Sequence, residues 1–98
     1  MNTAITLDVV SRNKNYTVKL FSKGKVVITG VPTAYQQSEI SQIITLLFKE
    51  IFAIANIPYS APTLIKTTLS NFTTRIPLAL GALIDINHAI QSIQRNRP

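Results

Sequence analysis

The stretch Tyr16-Thr17-Val18-Lys19-Leu20-Phe21-Ser22-Lys23-Gly24-Lys25-Val26-Val27-Ile28-Thr29-Gly30 decides how the rest of the chain is read. Residues 16–21 are rich in β-prone side chains. Ser22-Lys23-Gly24-Lys25 supplies a turn whose glycine is free to take a positive φ, and residues 26–29 are β-branched throughout. The pattern predicts a β-hairpin. Alternation along its second strand puts Val26 and Ile28 on one face, Val27 and Thr29 on the other. If Val26 and Ile28 meet the core, Val27 and Thr29 lie open beside Lys23, Lys25 and the strand-ending Phe21. Such a surface suits a minor groove, where cations meet phosphates and an apolar side chain wedges between base steps. The same spacing also accommodates Phe21 in the core with both lysines solvated at the turn.

Upstream of the hairpin, residues 4–10 mix β-branched residues with Asp8 and read as a strand, and residues 11–15 read as a polar loop. Downstream, Gly30 and Pro32 end the hairpin. Ser38 is positioned to cap a helix whose apolar residues Ile40, Ile43, Ile44, Leu47, Ile51 and Ile54 recur every three or four positions. Phe48, Phe52 and Ala55 widen that stripe. Glu39, Gln42, Lys49 and Glu50 occupy the opposite face, and the helix ends before Pro58.

Residues 58–62 read as a loop, and the threonine-rich residues 64–75 as one long or bent strand. Pro77 opens a second helix through Leu80, Leu83, Ile84, Ile90 and Ile93, with Gly81 weakening it by about 1 kcal/mol relative to alanine. The tail, residues 95–98, is expected to fray. The predicted order is β-β-β-α-β-α: a single α+β domain over residues 1–98, an antiparallel sheet with two helices on one face and the other face open.

Composition narrows the function. Ninety-eight residues suffice for one core, and 46% hydrophobic against 14% charged residues marks a chain that folds. The absence of cysteine excludes disulfides and thiol chemistry. The N-terminus lacks a signal-peptide pattern, and the most apolar window, residues 40–57, is interrupted by Gln42, Lys49 and Glu50 and falls short of a membrane span. Ten basic against four acidic residues give a net charge of +6, which attracts polyanions, nucleic acid foremost.

The groups available for catalysis are Asp8, Glu39, Glu50, Asp85 and His88. Asp85 and His88, three apart on a helix, fit a surface hydrogen bond better than a catalytic dyad. With no metal-ligand spacing, phosphate loop or serine elbow, the chain is read as no enzyme, with no cofactor and no metal.

Residues 16–30 resemble the repeat of the TATA-box-binding-protein family. That repeat carries a strand ending in an aromatic, a Ser-Gly-Lys or Asn-Gly-Lys turn, a β-branched strand ending in Thr-Gly, and then a long helix. The helix from Ser38 stands in the corresponding place. Residues 67–83 are similar to the start of a following repeat, where a strand leads through a basic-apolar-proline step, here Arg75-Ile76-Pro77, into a helix. The opening Asn2-Thr3-Ala4-Ile5-Thr6-Leu7 and the turn Lys19-Leu20-Phe21-Ser22-Lys23-Gly24 look most like the family's divergent members in large cytoplasmic DNA viruses.

The resemblance implies a half-saddle fold that binds double-stranded DNA through its uncovered sheet face in transcription initiation. RNA polymerase or transcription-factor subunits would be partners, in the nucleus or at a cytoplasmic viral replication site. Carried over by position, Phe21 matches a kink-forming phenylalanine, and Val27 and Thr29 match minor-groove contacts. Lys23 and Lys25 lie on the same face, and Thr67 and Leu69 match groove-facing positions of the following repeat.

The chain departs from the family in three ways. Thr67 stands where the family has an asparagine, and the second wedging phenylalanine expected near Ala4 is absent, which weakens the case for strong bending. The chain also begins inside one repeat and ends inside the next, so it is a fragment, a permuted domain, or one of two chains that self-associate by strand pairing. Two alternatives share the fold: a protein-interaction module without DNA contacts, and a hybrid-binding substrate domain of a nuclease of the ribonuclease H type.

Overall fold

The computed structural model describes residues 4–31, 33–67, 71–79 and 81–95. Three strands, β1 (Ala4–Ser11), β2 (Lys14–Phe21) and β3 (Lys25–Thr29), precede the helix α1 (Ala34–Ile54). Two further strands, β4 (Thr63–Thr67) and β5 (Asn71–Arg75), precede α2 (Ala82–Arg95). The five strands form one antiparallel sheet in the order β1-β2-β3-β5-β4.

The β1–β2 connection is tighter than the predicted five-residue loop. Ser11 pairs with Lys14, and Arg12 and Asn13 both take positive φ, the backbone of a type I′ turn. The β2–β3 connection is as predicted. Gly24 N–H donates to the Phe21 carbonyl at 2.9 Å, and Gly24 takes φ +92°. The Gly24 carbonyl accepts from Ile76 N–H at 2.8 Å, so the chain leaving β5 is strapped to the hairpin turn.

One side of the sheet is sealed over β2, β3 and β5. Tyr16, Val18 and Leu20 of β2, Val26 and Ile28 of β3 and Phe72 of β5 are buried together with Ile40, Ile44, Phe48, Ile51 and Phe52 of α1 and Ala82, Ile86, Ala89 and Ile90 of α2. Phe52 is the centre of an aromatic group, stacked on Phe48 at 6.1 Å and edge-on to Tyr59 at 5.7 Å. Such pairs add roughly 0.5–1.5 kcal/mol each beyond the area they bury.

The sequence reading is corrected at further points. Residues 64–75 are two paired strands, so the order is β-β-β-α-β-β-α. Helix α1 starts a turn before Ser38, which is exposed inside it. Its N-cap is Thr33, whose side-chain oxygen accepts from Gln36 N–H at 3.1 Å. Ile54, expected on the apolar stripe, is 48% exposed.

The second helix does not open at Pro77. Gly81 at φ +82° breaks any continuation from Pro77, and α2 begins after it. That restart shifts the frame, so Ile86 is buried and Ile84 is exposed. Leu80 and residues 96–98 lie outside the described residues.

The C-terminus of α1 is a Schellman motif. Asn56 at φ +60° donates to Ala53 O, and Ile57 donates to Phe52 O. Asparagine tolerates that conformation and glycine takes it freely. Asn56→Gly is therefore expected to hold stability within about 0.5 kcal/mol of the parent, and Asn56→Ala to cost about 1 kcal/mol, both read by urea denaturation.

Candidate nucleic-acid interface

Side chains directly opposite one another on antiparallel strands share a face, so the register assigns the open side of the sheet residue by residue. Lys19 of β2 sits between Thr6 of β1 and Val27 of β3, and Val27 sits beside Thr73 of β5. Thr17 sits between Asp8 and Thr29, and Thr29 beside Asn71. At the hairpin end, Ala4 faces Phe21 and Lys25 faces Arg75, which in turn faces Thr63. None of these residues belongs to the buried cluster or packs against it.

Phe21 is half-buried on this face, with Lys25 Nζ 5.9 Å from its ring centroid. The core alternative for Phe21 is therefore not adopted. Val27 and Thr29 are half-buried on the same face, Val27 opposite Lys19 and Thr29 opposite Thr17, and Lys19 and Lys25 are exposed. Lys23 is exposed at the tip of the turn, and its backbone carbonyl accepts from the Arg75 guanidinium at 3.4 Å.

Thr67 is not brought to this face. Strict alternation from Thr63 would have placed it there, but a bulge between Leu64 and Lys66 shifts the register by one, and Thr67 pairs with the buried Phe72. Leu69, the remaining expected contact, lies outside the described residues.

Sequence reasoning missed Lys19, Thr17, Thr73 and Arg75 as members of the face. The signal was available for the first two, since Thr17 and Lys19 stand at i−4 and i−2 from Phe21 on a continuous strand. For Thr73 and Arg75 it was not, because their strand was not separated from β4.

The electrostatics of the face are one-sided. Lys19, Lys25 and Arg75 are set against Asp8 alone among the described residues of the open face. Glu39 is engaged elsewhere, at the far end of the hairpin, where it accepts from Ser11 Oγ at 3.1 Å and pairs with Arg12 at 3.6 Å. Lys25 and Arg75 stand directly opposite each other, and like charges so placed destabilise a sheet. A ligand that neutralises them would remove that cost.

Around these cations lie the hydroxyls of Thr6, Thr17, Thr29 and Thr73, able to donate or accept, and the apolar Ala4, Phe21 and Val27. The described residues contain no group of three or more His, Asp or Glu able to hold a metal ion, and no helix long and apolar enough to cross a membrane. No family model, characterised protein or solved structure matches this chain.

Proposed function

We propose that the protein binds double-stranded DNA through the open face of its sheet, as a transcription initiation factor of the TATA-box-binding type. The observation that carries this reading is the gathering of Lys19, Lys25 and Arg75 around Phe21 and Val27 on the one face the helices leave uncovered. Cations at the rim supply the phosphate contacts. Threonine hydroxyls and small apolar side chains match the shallow acceptor pattern of a minor groove, and Phe21 is placed to wedge between base steps.

On this reading the sheet is one half of a saddle, and RNA polymerase or transcription-factor subunits would bind the helices on its back. Ala4 stands across from Phe21 where a second aromatic would complete a pair of wedges. The expected bend is correspondingly shallow, since a lone wedge recovers less of the unstacking cost.

The test is a salt titration of binding to a duplex, a single strand and an RNA/DNA hybrid. The expected result is duplex binding whose logarithm falls linearly with log salt, with a slope of roughly −3 for three phosphate contacts. Phe21→Ala is expected to reduce bending, read by fluorescence transfer between the DNA ends, more than it reduces affinity. A preference for the hybrid would move the assignment to nuclease substrate recognition. Negligible duplex binding at low salt would remove the DNA reading.

A further inference from the structure

The two edges of the sheet are built differently. At one edge, β4 has five residues and a bulge, features that discourage pairing with another chain. At the other, β1 has eight residues in unbroken register with β2, and Asp8 is its one charge.

The core is also unfinished along β1. Ile5, Leu7 and Val9 point to the helix side and are only half-buried, although their partners Leu20, Val18 and Tyr16 are exposed by 2% or less. Beside them runs a groove of about 290 Å³ lined by Leu7, Val9, Ile43, Leu47, Ile90 and Ile93. A strand with no further strand paired to its outer edge among the described residues, next to an apolar groove, is the arrangement an added strand fills.

We infer that a second copy of this chain pairs with this edge, β1 against β1 antiparallel, around a two-fold axis through Leu7. This names the edge and the register for the strand pairing expected from the sequence, and it stands whether or not the open face binds DNA.

The two-fold runs perpendicular to the sheet, so it keeps helix-side residues against helix-side residues, and only centres on a residue are allowed. Centring on Leu7 sets Leu7 against Leu7, Ile5 against Val9, and Thr6 against Asp8, an apolar row over the groove and a hydroxyl–carboxylate pair on the open face. Centring on Asp8 opposes two carboxylates. Centring on Val9 sets Leu7 against Ser11, and centring on Thr6 sets Asp8 against Ala4, with no polar partner for the carboxylate. Charge and hydropathy therefore select one register. It also leaves the open faces of both copies, with Phe21 and Lys25, on the same side of one continuous sheet.

Because the chain has no cysteine, single-cysteine variants read the register directly. At the two-fold, Leu7→Cys brings two Cα atoms to about 4.5–5.5 Å, within disulfide range. Two Val9→Cys residues would stand four positions apart, about 13 Å. Air oxidation is expected to convert Leu7→Cys to a covalent dimer and to leave Val9→Cys and the β4-edge variant Thr63→Cys monomeric. Sedimentation of the unmodified chain is expected to give twice the monomer mass.

Should Leu7→Cys lose its native circular dichroism, an equimolar mixture of Thr6→Cys and Asp8→Cys, both exposed positions, must yield the mixed disulfide. A monomeric mass for the unmodified chain at about 1 mM, a concentration that detects even weak pairing, overturns the inference. So does cross-linking of Val9→Cys or Thr63→Cys as readily as Leu7→Cys.

Discussion

Gly24→Ala is expected to lower stability by about 4 kcal/mol, a fall in Tm of roughly 15–30 °C for a domain of this size. Two effects combine. Gly24 holds φ +92°, a conformation a β-carbon disfavours, and a β-carbon there would run into the backbone carbonyl oxygen of Ile76. That contact cannot relax by turning a side chain. The Ile76 N–H to Gly24 carbonyl hydrogen bond would have to break, releasing β5 from the hairpin turn. The same strap keeps Lys25 and Arg75 side by side, so the variant is also expected to lose DNA binding in proportion to the unfolded fraction. Thermal unfolding followed by circular dichroism checks the magnitude. A loss below about 1 kcal/mol would mean that the turn and the β5–α2 connection do not press together.

The second large effect concerns the open face. Replacing Lys19, Lys25 and Arg75 together by threonine is expected to weaken duplex binding at about 0.1 M salt by roughly 10²–10³-fold. The slope of log affinity against log salt should shrink by about 2.7, since each lost phosphate contact removes about 0.9. Stability is expected to move little in the single variant Lys25→Thr, within about 0.5 kcal/mol. The like-charge pair with Arg75 is relieved while a weak contact with the Phe21 ring is lost. Fluorescence anisotropy across a salt series, with urea denaturation of the same samples, separates the two readouts. A surface kept only for solubility would show the small stability change without the loss of binding.

The elements that local chemistry specifies were legible in the sequence. The hairpin could be read because β-branched alternation on both sides of Gly24 admits one register, and that register already separated Val27 and Thr29 from Val26 and Ile28. The fold class followed from the helical period of residues 40–54 against the sheet, although Ile54 at its end proved exposed.

Where reading failed, a tertiary effect or a weaker signal was responsible. Thr33-Ala34-Tyr35-Gln36 carries the capping pattern that starts α1, but the apolar period begins only at Ile40 and drew the start to Ser38. The split between β4 and β5 has no mark, because Thr68-Leu69-Ser70 contains no glycine or proline. The β4 bulge, invisible to a period of two, moved Thr67 off the open face. Arg75 joined the face only through the pairing of β3 with β5, a long-range contact that local pattern does not encode.

The most direct test of the proposed DNA-binding face is a map of backbone amide chemical shifts on adding a short duplex at low salt. The account predicts changes concentrated at Thr17, Lys19, Phe21, Lys25, Val27, Thr29, Thr73 and Arg75, with the outer surfaces of α1 and α2 unaffected. Changes centred on the helices, or none at any duplex concentration, would contradict it.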